Sequence, residues 1–134
     1  MFEDIRNLKN AIRYKRELIE ELRSRATSAT MSLDGDRVQY SGSKDRIGEL
    51  MCKIVILEKE LAGMESDYAM ITGEALTNIY AIGNDEWADI LYTHYLEFKS
   101  LQEIANAKGV SLNAIRAKNN RALKKYKCII DETK

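Results

Sequence analysis

Between Asn113 and Lys127 the chain carries Arg116, Lys118, Arg121, Lys124, Lys125 and Lys127 and no acidic residue. Six cations without a counter-charge form a surface that attracts phosphate, and they are the one electrostatic footprint in a chain whose formal net charge is +0. Catalytic chemistry has no comparable signature. His94 has no acid-base partner beside it in sequence, and Glu20 with Glu21 read as charges on a helix surface. Nucleophile arrangements, a Gly-rich phosphate loop and metal-ligand spacing are all missing, so no catalytic residue, metal or cofactor is expected and the chain reads as a non-enzyme.

The elements that position the basic run are expected to be helices. Pro is absent from all 134 residues, and a residue that costs about 3 kcal/mol inside a helix is otherwise common in turns and linkers. Cys52 and Cys128 lie far apart with no CxxC and no neighbouring His, which points to reduced thiols in a cytoplasmic setting. The amino-terminal MFEDIRNLKN has acids and no apolar run, so a signal peptide is not expected. No segment approaches the ~18 apolar residues of a membrane span, and no membrane partner is expected.

Apolar residues at Ile5, Leu8, Ile12, Ile19, Leu22 and Ala26 keep to one stripe of a first helix, interrupted by Lys15. A polar connection follows over about 27–44. A second stripe then runs Ile47, Leu50, Ile54, Leu57, Leu61, Met64, Tyr68, Ile71, Ala75 and Ile82, with Asn78 at the remaining seam position. Three-four alternation over five heptads predicts a coiled coil, here an antiparallel hairpin of residues 1–82 with Leu22 near Ile47 and Ile5 near Met64. In that register the seam from Tyr68 onward, through Ile71 and Ala75, needs another partner. Cys52, Val55 and Ile56 add apolar surface on a face the seam leaves in water, so these six residues are the expected oligomer or partner contacts, with a homodimer as the first expectation.

Gly83 and Asn84 are expected to stop the second helix. Residues 83–134 then read as three short helices: one capped by Asp85 and running through Leu96, one opened by the capping box Ser100 and Glu103, and a last one capped by Ser111 and running to about Ile130. Trp87, Tyr92 and Tyr95 are expected to build the small core. Gly109 suits a tight turn, Ala105 a close helix crossing, and Ile104, Val110 and Ile115 a lock between the last two helices. The fold class expected is therefore all-α, a long antiparallel coiled-coil hairpin followed by a three-helix helix-turn-helix module.

The string SLQEIANAKGVSLNAIRAKNNRALKKYK, Ser100 to Lys127, resembles region 4 of bacterial sigma factors and related helix-turn-helix modules. Their pattern is matched here by Ser100, Leu101, Glu103, Ile104, Ala105, Gly109, Val110, Ser111, Ile115, Arg116, Arg121, Ala122, Leu123 and Lys125, with Tyr126 in place of the usual Leu. Together with the upstream linker and second helix, the chain is similar to small phage-encoded regulators of late genes of the ArpU and RinA-like type, from phages of Gram-positive hosts. The resemblance implies a DNA-binding regulator of phage or prophage transcription, acting in the bacterial cytoplasm on double-stranded DNA.

In such modules the second helix of the motif lies in the major groove. On this chain the resemblance makes Asn113 the base reader, since an amide pairs bidentately with adenine, and lets Arg116 reach guanine or a phosphate. Lys118, Asn119, Asn120, Arg121, Lys124 and Lys125 become candidate phosphate contacts, with the backbone amides at Ser111 holding another phosphate. Leu112, Ala114 and Ala117 stand where sigma factors usually carry charged or amide residues. That departure supports an alternative in which the module docks on RNA polymerase without reading DNA. A second alternative is a small terminase-type packaging subunit, although those proteins generally place the DNA-binding module first.

Overall fold

A computed structural model describes residues 2–35 and 41–133, and among them the chain is all-helical with no strand. The elements are α1 (Glu3–Gly35), α2 (Ser41–Tyr80), α3 (Asp85–Leu91) continued by a π-helical turn (Tyr92–Leu96), α4 (Leu101–Lys108) and α5 (Leu112–Thr133). Both long helices run into the expected polar connection, so 27–35 and 41–44 are helical, and 36–40 of that expectation lie outside the described residues. Ser and Thr cost a helix only about half a kcal/mol each, and a helix already nucleated extends through them. Buried Ala26 adds a packing contact beyond Leu22.

By its contacts the chain forms one unit of residues 7–68 and another of residues 1–6 with 69–134. The division falls inside α2.

In the unit of residues 7–68, Ile12, Ile19 and Ala26 of α1 and Ile54 of α2 are buried, and Leu8, Leu22, Leu57, Leu61 and Met64 are half-buried. Among the described residues three ion pairs join the helices: Lys15 Nζ to Glu60 at 2.6 Å, Arg16 to Glu65 at 3.0 Å, and Arg23 to Glu58. Partners on α2 fall from 65 to 58 as those on α1 rise from 16 to 23, so the helices run in opposite directions. Lys15, the break in the α1 stripe, is accommodated because its stem packs while its ammonium reaches Glu60. The register differs from the one expected. Arg23 lies level with Glu58, about three turns further along α2 than Ile47, because helix occupies 27–35 and 41–44 of the expected connection.

In the other unit, Ile90 of α3, Ile104 and Ala105 of α4 and Ile115 of α5 form a buried cluster, with Leu101 packed against it. Each fully buried isoleucine contributes about 1.5–3 kcal/mol. The expected aromatic core is corrected accordingly, for Trp87, Tyr92 and Tyr95 are half-buried while Ile90 and Leu91 are completely enclosed. Phe2 and Ile5 are buried too, and the Phe2 ring stacks on Tyr95 at 4.4 Å and lies tilted against Tyr126 at 4.7 Å.

At the end of α2, Ala75, Ile79 and Ile82 are buried. Asn78, the polar residue of the seam, hydrogen-bonds the Tyr126 hydroxyl of α5. Much of the seam beyond Tyr68 is thus covered within the chain. Ala75, expected as an oligomer contact, is corrected for that reason, since at 5% exposure it has no surface to offer a partner.

Gly83 ends the α2 region at φ 78°, as its left-handed tolerance predicts. The cap of α3 is Asn84 and not Asp85: its Oδ1 accepts from Trp87 N at 3.1 Å, leaving Asp85 in the first turn beside the helix dipole. The helix expected to continue to Leu96 widens instead into the π turn, where Glu97 N–H donates to Tyr92 O at 3.0 Å.

Burial pushes the Tyr126 phenol above its ordinary value, and the Asn78 hydrogen bond partly offsets the rise. A raised pKa in the folded state means that the protonated phenol is held by the fold. Its contribution is complete below the unfolded value of about 10 and is lost as pH rises through the folded value. Urea denaturation at successive pH values is expected to show a steeper loss of stability above about pH 10 for the native chain than for Tyr126→Phe. Parallel curves for the two proteins would refute this.

Candidate nucleic-acid interface

Three backbone features aim α5. Ser100 Oγ accepts from Glu103 N at 3.1 Å and starts α4. Gly109 then takes φ 68° and ψ 31°, and Val110 N–H donates to Ala105 O at 3.0 Å. Ser111 Oγ accepts from Ala114 N at 3.2 Å and opens α5. The lock between α4 and α5 uses Ile104 and Ile115 but not the Val110 side chain, which is 41% exposed; Val110 contributes its amide instead.

With α5 held this way, its two faces separate cleanly. Ile115, Asn119, Ala122, Tyr126 and Ile129 are buried, and their steps of four and three mark one stripe. On the opposite stripe Asn113, Ala117, Asn120 and Lys124 are exposed. At 100° per residue, Arg116 and Lys127 border that stripe on one side and Arg121 and Lys125 on the other, all four exposed. The chemistry is that of an amide-bearing ridge between two cationic margins, suited to a groove between two rows of phosphates.

Two residues of the basic run stand elsewhere. Lys118 is half-buried and its ammonium pairs with Glu86 of α3, so it holds two helices together and its charge is already compensated. Asn119 is 5% exposed, and its Nδ2 donates to Tyr95 Oη at 3.3 Å. As a phosphate contact Asn119 is therefore corrected: a buried amide between α5 and the π turn cannot reach a ligand. Among the described residues its Oδ1 has no hydrogen-bond partner. A second pair, Lys108 with Asp89 at 2.8 Å, ties α4 to α3 and was not anticipated. Glu86 and Asp89 stand three residues apart and so share a face of α3, which the spacing shows, but the spacing does not show which lysine each takes.

Of the expected partner contacts, Cys52, Val55 and Ile56 are exposed, Val55 at 49% and Ile56 at 56%, while Tyr68 and Ile71 are half-buried. Among the described residues, no group of three or more His, Cys, Asp or Glu is placed to hold a metal ion, and no helix is long and apolar enough to cross a membrane. Comparisons with family models, with curated proteins and with solved structures gave no match for the chain.

An amide buried with one end unpartnered destabilises a fold, and its replacement by an apolar group of similar size removes that cost. Asn119→Leu is expected to raise stability by about 1 kcal/mol in chemical denaturation and to leave any DNA affinity of the chain unchanged. A drop in affinity without loss of fold would return Asn119 to the interface.

Proposed function

We propose that the chain is a DNA-binding transcriptional regulator of a phage or prophage, acting on late genes in the cytoplasm of the bacterial host and performing no catalysis. In this reading α4, the turn at Gly109 and α5 are a helix-turn-helix of the sigma region 4 type, and α1 with α2 is a coiled-coil hairpin. The single observation that carries it is the division of α5 into a buried stripe and an exposed amide ridge flanked by Arg116, Lys127, Arg121 and Lys125.

In the proposed complex α5 lies in the major groove. Asn113 reads a base, Arg116 takes a base edge or a phosphate, and Asn120, Arg121, Lys124 and Lys125 contact phosphates, with a further phosphate at the Ser111 end of the helix. Exposed Val55, Ile56 and Cys52 support self-association through α2. A dimer presents two modules to two half-sites, and that avidity offsets the modest base reading available to each one.

A second reading is favoured by one specific feature. Ala117 occupies the outward ridge where a hydrogen-bonding residue would read a base, and an apolar spot there suits docking on RNA polymerase. Salt dependence separates the two. With about three to six phosphates contacted, the log-log slope of duplex affinity against salt is expected near −3 to −5, and Arg116→Ala with Arg121→Ala should flatten it. A flat slope in the native chain, or undiminished binding by the double variant, would favour polymerase docking. Selection of bound fragments from phage and host DNA then distinguishes a late-gene regulator, with enrichment upstream of those genes, from a terminase-type subunit, with enrichment at a packaging site.

A further inference from the structure

In the unit of residues 1–6 with 69–134 there is a cleft of about 380 Å³, within the usual range for small-molecule sites. Of its lining residues only Lys127 also borders the Asn113, Ala117, Asn120 and Lys124 ridge, and none stands on the ridge itself. Its walls are aromatic, from Phe2, Tyr95 and Phe98, and its charged groups are Arg6, Lys127 and Glu3. None of these three ions forms an ion pair among the described residues, and together they carry a net positive charge.

The Arg6 guanidinium lies over the Phe98 ring, 5.5 Å from its centroid. A guanidinium at that distance is drawn by the negative face of the ring and keeps N–H donors for an anion, and a carboxylate is the acceptor that matches its fork. Another part of the lining is preformed. His94 donates Nδ1–H to the carbonyl of Lys99 at 2.6 Å and meets Tyr95 edge-on at 4.5 Å, which fixes both rings. Backbone departures gather at the same place: His94 and Tyr95 belong to the π turn, and Phe98 holds φ 62°, a left-handed conformation that costs a non-glycine residue free energy. Strain of this kind persists where surrounding contacts maintain it, and here it turns the Phe98 ring into the cleft under Arg6.

We propose that this cleft binds a small aromatic carboxylate, the ring lying against Phe98 and Tyr95 and the carboxylate on Arg6 and Lys127. Such a ligand bridges the first turn of α1, the π turn and α5, and its binding does not depend on whether α5 reads DNA. The test is a titration of 2-naphthoate into the full chain labelled with nitrogen-15. Saturable amide shifts are expected at His94, Phe98 and Lys127, with affinity roughly tenfold weaker for Arg6→Ala, for Lys127→Gln and for the neutral probe 2-naphthalenemethanol. Arg6→Lys, which keeps the charge and loses the fork, is expected to fall between native and alanine. Absent or non-saturating shifts, shifts centred elsewhere, or equal affinity for the acid and the alcohol would overturn the proposal. So would unchanged affinity in a folded Arg6→Ala, and if that variant does not fold, Lys127→Gln decides by the same criterion.

Discussion

At Gly109 the chain leaves α4 through one left-handed residue, and that turn governs what α5 displays. The left-handed conformation there costs an ordinary L residue about 1–2 kcal/mol, and glycine adopts it freely. It brings the Val110 amide back to the Ala105 carbonyl, so the end of α4 is closed and the start of α5 is placed by the same bond. Ala105, with no side chain beyond Cβ and no exposure, lets the two helices approach closely enough for Ile115 to join Ile90 and Ile104. Once Ile115 is buried, the helical period assigns every later residue of α5 to a face.

Polar groups finish what the apolar cluster begins. Lys118 with Glu86 and Lys108 with Asp89 tether α5 and α4 to α3, and as partly exposed pairs each adds about 0–1 kcal/mol, more useful for orientation than for stability. Asn78 with Tyr126, and Asn119 with Tyr95, place amides inside the fold where an apolar residue would pack without direction. The first fixes the end of α2 against α5. The second leaves Asn119 Oδ1 without a partner among the described residues, a cost that the hydrogen bond to Tyr95 offsets only in part.

Much of this was legible in the residues. Three-four spacing and the absence of Pro foretold helices, Gly83 and Gly109 their ends, and Ser100 and Ser111 their caps. Three kinds of feature were hidden for physical reasons. The connection at 27–44 reads as a loop because Ser, Thr, Gly and Asp favour turns locally, yet cooperative extension carries helix into it from both sides. Asn119 sits on the step between Ile115 and Ala122 where an apolar residue belongs, so its spacing pointed inward while its chemistry pointed to a ligand. The cleft beside Phe98 depends on the π turn and on Phe2, residues distant in sequence whose meeting no local pattern encodes.

On the proposed reading, the exposed ridge of α5 is the part of the molecule that meets a duplex. The most direct measurement is the change in backbone amide shifts of the full chain when a duplex recovered by genomic selection is added. The account predicts the largest changes at Asn113, Arg116, Ala117, Asn120 and Lys124, with Ile115 and Asn119 responding far less through the buried side of the same helix. Changes confined to α1 and α2, or no change on α5 at saturating duplex, would contradict it.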